Sequence, residues 1–193
     1  IEVWDLDMNA PVLTDLRGIA VAFDPLDRWM AVGSREGHVS LWDLQRRQPI
    51  EKQLFDYFNE ETARSAMELG EAIRQLEFIE QDGWYALLAV GDAGGLQMWN
   101  IIDGSPLAGT GSAPSIHPDG FNDTALNRHG WQVATAGRND RVRLWQFDPD
   151  PQNAGQSLLV LSHGIWYDQQ SWSHQEGVLS VSYSVDGRHL LSG

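Results

Sequence analysis

A tryptophan set in a short run of alternating apolar residues recurs four times, and that recurrence constrains the fold more than any other feature. Residues 141–147 read Arg-Val-Arg-Leu-Trp-Gln-Phe, residues 39–44 Val-Ser-Leu-Trp-Asp-Leu, residues 96–101 Leu-Gln-Met-Trp-Asn-Ile and residues 1–6 Ile-Glu-Val-Trp-Asp-Leu. In each copy one apolar residue immediately precedes the tryptophan and another follows it by two. This is strand patterning, with the tryptophan facing away from its immediate neighbours. Trp4, Trp42, Trp99 and Trp145 are 38, 57 and 46 residues apart, centred near the roughly 40–45-residue period of a four-stranded repeat unit. The chain reads as a repeat array.

Lettering strands a to d from the axis outward, the pattern predicts a half-blade c-d over residues 1–13 and a whole blade over 18–55. A second blade follows over 71–107, a third over 121–161, and a half-blade a-b over 178–193. Turn signals punctuate it throughout: Asp24-Pro25 after the inner strand at 18–23, the glycine-rich 91–95, and Ser184 to Gly187. Strand b runs over 84–90 and 131–136, and an outer strand is expected at 157–161. Residues 56–70 are an insertion. Asn59 can cap a short helix there, with Ala63, Ala66 and Met67 as its apolar face and Gly70 as its stop; a plain acidic loop is the rival reading. Alternating short strands at a fixed period imply an all-β fold, a β-propeller of four-stranded antiparallel blades. With a strand c at one end and a strand b at the other, the expectation is a fragment of a larger ring. The two half-blades could instead meet and close a four-bladed ring.

Charge narrows the partners. The formal net charge is −14, with a single lysine, Lys52, and scattered arginines. Phosphate backbones and anionic membranes need clustered cations, so neither nucleic acid nor a membrane surface is expected. No apolar run approaches the roughly 18 residues that would span a bilayer. The chain contains no cysteine, which removes disulfide staples and thiolate metal ligands. We expect a cytoplasmic protein.

These residues resemble the WD-repeat β-propeller family. Trp4-Asp5 and Trp42-Asp43 are the family's dipeptide, with Asn100 and Gln146 in place of the aspartate in the other copies. The inner-strand pattern recurs at Val178, Val181 and Tyr183, at Ile73, Leu76 and Phe78, and at Phe121, Thr124 and Leu126. His117 and His174 match the family's upstream histidine, and the Leu190 to Gly193 segment, including Ser192, its strand b ending. The resemblance implies that His, Ser or Thr, Asp and Trp side chains link the strands of a blade through hydrogen bonds, a chain that is incomplete in this sequence. His117, His174, Ser192 and the four tryptophans are therefore structural residues. Connections from strand d to strand a would lie on one rim, the face that usually grips partners.

No catalytic constellation is legible. The six histidines do not pair at metal-ligand spacing, Gly109 to Ser112 lacks the context of a nucleophile elbow, and Gly91 to Gly95 is followed by neither lysine nor helix. We expect no catalytic, metal or cofactor site. Two stretches carry clustered aromatics: Tyr57 and Phe58 before the insertion, and Trp166, Tyr167 and Trp172 in the connection before the last half-blade. Either they anchor a protein partner, as aromatic residues do at interfaces, or they fold back and seal the blade beneath them. The expected role is a non-enzymatic scaffold or sensor module of a larger signalling protein. A propeller that uses its central channel for a ligand or reaction, or a purely structural segment, is the alternative.

Overall fold

The computed structural model describes residues 1–13, 16–50, 71–81, 84–102, 104, 106–109, 120–127, 129, 132–138, 140–146, 160–164 and 177–193. Every regular element among them is a strand. β1 (Val3–Asp5) and β2 (Ala10–Leu13) pair as a two-stranded sheet. β3 (Ala20–Phe23), β4 (Trp29–Gly33), β5 (Val39–Asp43) and β6 (Gln48–Pro49) form a four-stranded sheet in chain order. So do β7 (Ile73–Gln81), β8 (Trp84–Gly91), β9 (Leu96–Asn100) and β10 (Pro106–Gly109). The third such sheet is β11 (Phe121–Asn127), β12 (Gln132–Gly137), β13 (Val142–Gln146) and β14 (Val160–Gly164). β15 (Val181–Tyr183) and β16 (Leu190–Ser192) close the series as a second two-stranded sheet.

All pairings are antiparallel and join strands consecutive in the chain. This arrangement divides the connections between two faces. Turns from a to b and from c to d lie at one end of the strands, and turns from b to c and d to a lie at the other. The two-stranded sheets remain separate, so the described residues form an open arc of propeller blades and the four-bladed ring does not close. β14 extends to Gly164, beyond the expected end at Leu161. The helix considered at Asn59 to Gly70 lies outside the described residues.

Strand composition follows from burial on both faces. A blade in the middle of the arc has a neighbour on each side, so β8 cannot alternate between apolar and polar residues. Tyr85, Leu87 and Ala89 point into the core shared with the preceding blade, alongside Ala20, Ala31, Leu41, Ile73, Phe78 and Trp99. Ala86, Leu88 and Val90 point into the core shared with the following blade, alongside Phe121, Val133 and Trp145. Spacing between the first two blades depends on Gly33, where an added Cβ would sit 2.4 Å from Ile73 Cγ2. Only glycine lets the inner strand β7 approach the end of β4 so closely.

The repeated tryptophans occupy unequal environments. Trp42, Trp99 and Trp145 each pack toward the preceding sheet. Trp99 is 0 % and Trp145 2 % exposed, and Trp42 lies partly buried against Val3, Leu13 and Met30. Trp4, with the same local motif, is 52 % exposed, because none of the described sheets packs on that face of β1. One link of the family's polar chain is present: Trp145 Nε1 donates to Thr135 Oγ1 at 3.0 Å in a buried setting. By register, Val32 and Ala89 stand where Thr135 stands, so the first two blades have no hydroxyl at that position. Ser192 lies at the end of β16. His117 and His174 lie outside the described residues.

At the far end of the arc, Tyr183 packs partly buried against Ala134, Val142 and Val178 and its hydroxyl donates to Gln132 Oε1 at 2.9 Å. Burial pushes its phenol up to about 12. A folded value above the unfolded value of about 10 means full stability below pH ~10, lost as pH rises toward and through 12. Denaturant midpoints measured across that range should fall, with Tyr183 contributing about 2 kcal/mol of the loss. Tyr183→Phe should flatten that part of the profile. An unchanged profile would show that the phenol titrates without regard to folding.

Candidate protein-interaction surface

Tyr57, Phe58, Trp166, Tyr167 and Trp172 lie outside the described residues. The topology of the described strands groups the b-to-c turns and the starts of the inner strands on one face. The described part of that face is a polar chain running from blade to blade. β7 and β11 each carry an irregularity near their starts, between Ile73 and Gln75 and between Phe121 and Asp123, which takes Arg74 and Asn122 out of the ladder and re-aims them. Arg74 Nη1 donates to Asp92 Oδ1 at 2.7 Å, and Arg138 Nη2 reaches the same oxygen at 3.3 Å. Arg138 Nε donates to Asn122 Oδ1, and Asn122 Nδ2 to the Val178 carbonyl at 2.8 Å. Glu71 accepts from the amides of Ala93 and Gly95 and so holds the b-to-c turn of the second blade. The ion pairs are about half exposed, so each contributes roughly 0–1 kcal/mol. Their effect is to fix the presentation of the turns.

The inner strands are tied to one another in a second way. Gln75 Nε2 donates to the Thr124 carbonyl at 3.1 Å, and Asp123 Oδ2 accepts from the Val181 amide at 3.0 Å. In both cases an inner-strand side chain reaches the backbone of the next inner strand. These polar groups of the inner strands are engaged between blades. Among the described residues no group of three His, Asp or Glu side chains could hold a metal ion, and no helix is long and apolar enough to cross a membrane.

On the opposite face three a-to-b turns are each closed by a polar residue at their start. Asp24 accepts from the amides of Leu26 and Arg28 at 3.2 and 3.1 Å. Asn127 accepts from the His129 amide and donates to the Gly187 carbonyl of the next turn, and Ser184 accepts from the His189 amide. Asp24 differs from the others in charge and burial, being 1 % exposed. It also accepts from Arg28 Nε at 3.1 Å. The guanidinium lies over two rings, 5.2 Å from the Trp29 centroid and 4.9 Å from that of Tyr85, which joins the first blade to the second. The Tyr85 hydroxyl is buried beside this pair and interacts with both of its members. Burial alone would raise the Asp24 carboxyl. The Tyr85 hydroxyl, the two turn amides and the guanidinium together hold it below the ordinary carboxylate value. Burial first, and the hydrogen-bonding interaction with Asp24 second, push the Tyr85 phenol well above its ordinary value.

The sequence marked Asp24 as a turn residue but did not single out Arg28, Tyr85 or Thr135. Thr135 had a usable signal, since it lies ten residues before Trp145 in the strand position where the family carries its hydroxyl. Tyr85 had none, because its neighbours come from another blade.

The family model described as WD domain, G-beta repeat matches residues 14–43 and 167–193. Among proteins of curated function none matches this sequence. Of solved structures, the computationally designed Ika8 protein superposes with a TM-score of 0.64 at 14 % identity, over 100 % of this chain and 48 % of that one. A chain of the mitotic checkpoint complex gives 0.61 at 14 % identity, over 91 % of this chain and 47 % of that one. At such identities the likeness is one of fold, and this chain spans about half the length of both.

Proposed function

We propose, from its match to the WD-repeat family model over residues 14–43 and 167–193, that this chain is a non-enzymatic protein-interaction module, a scaffold or sensor region of a larger signalling protein in the cytoplasm. Propellers of this family generally mediate protein–protein interactions. The partner docks on the rim of d-to-a connections, with Trp166, Tyr167 and Trp172 as central anchors and Tyr57 and Phe58 on a neighbouring connection. The observation that carries this reading is the rigid polar chain from Arg74 through Asp92 and Arg138 to Asn122, which presents that face as one surface. Aromatic anchors supply the buried contact, and the net charge of −14 steers a basic partner at long range.

Trp166→Ala combined with Trp172→Ala should abolish capture of a basic protein partner while leaving the β-sheet circular dichroism unchanged. A double mutant that unfolds would place both residues in the core and move the interface elsewhere. Tight, salt-sensitive DNA binding by the wild type would overturn the partner class.

A further inference from the structure

We propose that the face opposite this rim carries a second docking site, centred on Arg28, for a carboxylate-bearing peptide segment of a partner protein. It does not rest on the rim reading. Arg28 is held in an unusual way. Its Nε is committed to Asp24, its plane covers Trp29 and Tyr85, and its side chain is still 44 % exposed. The pairing with Asp24 runs through Nε, which leaves the edge of the two terminal nitrogens without a carboxylate among the described residues. A guanidinium in this state has lost its conformational freedom before any ligand arrives, and its remaining edge is the fork that matches a carboxylate. The buried hydroxyl of Tyr85 lies beside the same ion pair and helps to fix the plane of the guanidinium.

The neighbouring turns supply the rest of the surface. The Leu44 amide donates to the Arg28 carbonyl at 3.0 Å, so the c-to-d turn of the first blade starts beside Arg28 and carries the exposed Arg47. Arg47 is held at φ 56°, a conformation easier for glycine or asparagine. The Ile101 amide donates to the Tyr85 carbonyl at 2.9 Å, which brings the c-to-d turn of the second blade to the same place. Leu26 and Ile102, 51 % and 66 % exposed, are apolar residues on the a-to-b turn of the first blade and the c-to-d turn of the second. Among the described residues the acidic groups of these turns are largely occupied, Asp24 by Arg28 and Asp43 by Arg46, leaving Asp27 as the outward carboxylate of the a-to-b turn. A segment alternating acidic and apolar residues fits this pattern, a carboxylate on Arg28, a second charge toward Arg47, and apolar side chains on Leu26 and Ile102.

The test is fluorescence anisotropy of the full chain with a labelled peptide alternating glutamate and leucine, against its glutamine-for-glutamate counterpart. The acidic peptide should bind and the glutamine peptide should not. Arg28→Lys keeps the charge but removes the planar fork, and should weaken binding about ten-fold. Arg47→Gln changes an exposed turn residue, should leave thermal unfolding unaltered, and should weaken binding about three-fold, a rim charge's share. Arg74→Gln, on the other face, should bind as wild type, as should the Trp166→Ala, Trp172→Ala pair, so failure here is separable from failure of the rim reading. No binding, equal binding of the two peptides, or wild-type affinity in both Arg28→Lys and Arg47→Gln would overturn the proposal.

Discussion

Replacing Trp99 with alanine should cost about 3–5 kcal/mol of folding stability, most of what a domain of ordinary stability has. The indole is fully buried in the core between the first two blades, among Leu41, Phe78, Tyr85, Leu87 and Ile101. Removing it opens a cavity between two sheets. Each sheet is held on its other side by another core, so neither can move in to fill the space, and the cavity term adds to the lost transfer energy. Trp4→Ala is the matched control. The motif is the same, but a half-exposed side chain at the end of the arc should cost under about 1 kcal/mol. Denaturant melts of the two variants at equal slope would measure the contrast. A small effect at Trp99, or equal effects at both, would mean that burial between blades is not what the repeated tryptophan provides.

That contrast also shows what was legible in the sequence. The six residues at 1–6 and at 96–101 predict the same strand c, and both form it, because alternation and turn chemistry are local properties. Whether the tryptophan becomes core depends on the blade before it, which no local pattern records. Outer strands were harder to place for a related reason. β6 covers only Gln48–Pro49, and its residues are exposed, so no apolar periodicity marks its extent. β14 ends beyond the expected boundary because the alternation around residues 157–164 is weak. β8, by contrast, was readable as a continuous apolar run, the mark of a strand covered on both faces.

Candidate sites divide along the same line. Aromatic clusters at residues 57–58 and 165–172 could be picked out as composition, since clustering is visible in sequence. The Asp24, Arg28 and Tyr85 group could not. Its turn half obeys a local rule, an aspartate closing its own turn through the amides two and four residues on. Its other half is a tyrosine sixty-one residues away, brought there only by the packing of blade on blade.

Asp24→Ala should therefore destabilise the fold far more than a turn substitution ordinarily does, by about 2–4 kcal/mol. Three donors lose their acceptor at once: the Leu26 amide, the Arg28 amide and Arg28 Nε. The guanidinium is then left over two rings without a counter-charge, although its exposure lets water recover part of the loss. Asp24→Asn keeps size and some hydrogen bonding and should cost less, about 1–2 kcal/mol. The pH dependence separates charge from shape. Because the folded carboxyl is held below its ordinary value, its contribution is complete above the unfolded value of about 3.9 and is lost as pH falls through the lower folded value. The gap between wild type and Asp24→Asn in urea melts should be constant from neutral pH down to about 5 and should close below about 4. A gap that persists unchanged at pH 3, or an Asp24→Ala variant within about 0.5 kcal/mol of wild type, would show that the charge of Asp24 is not what fastens the first blade to the second.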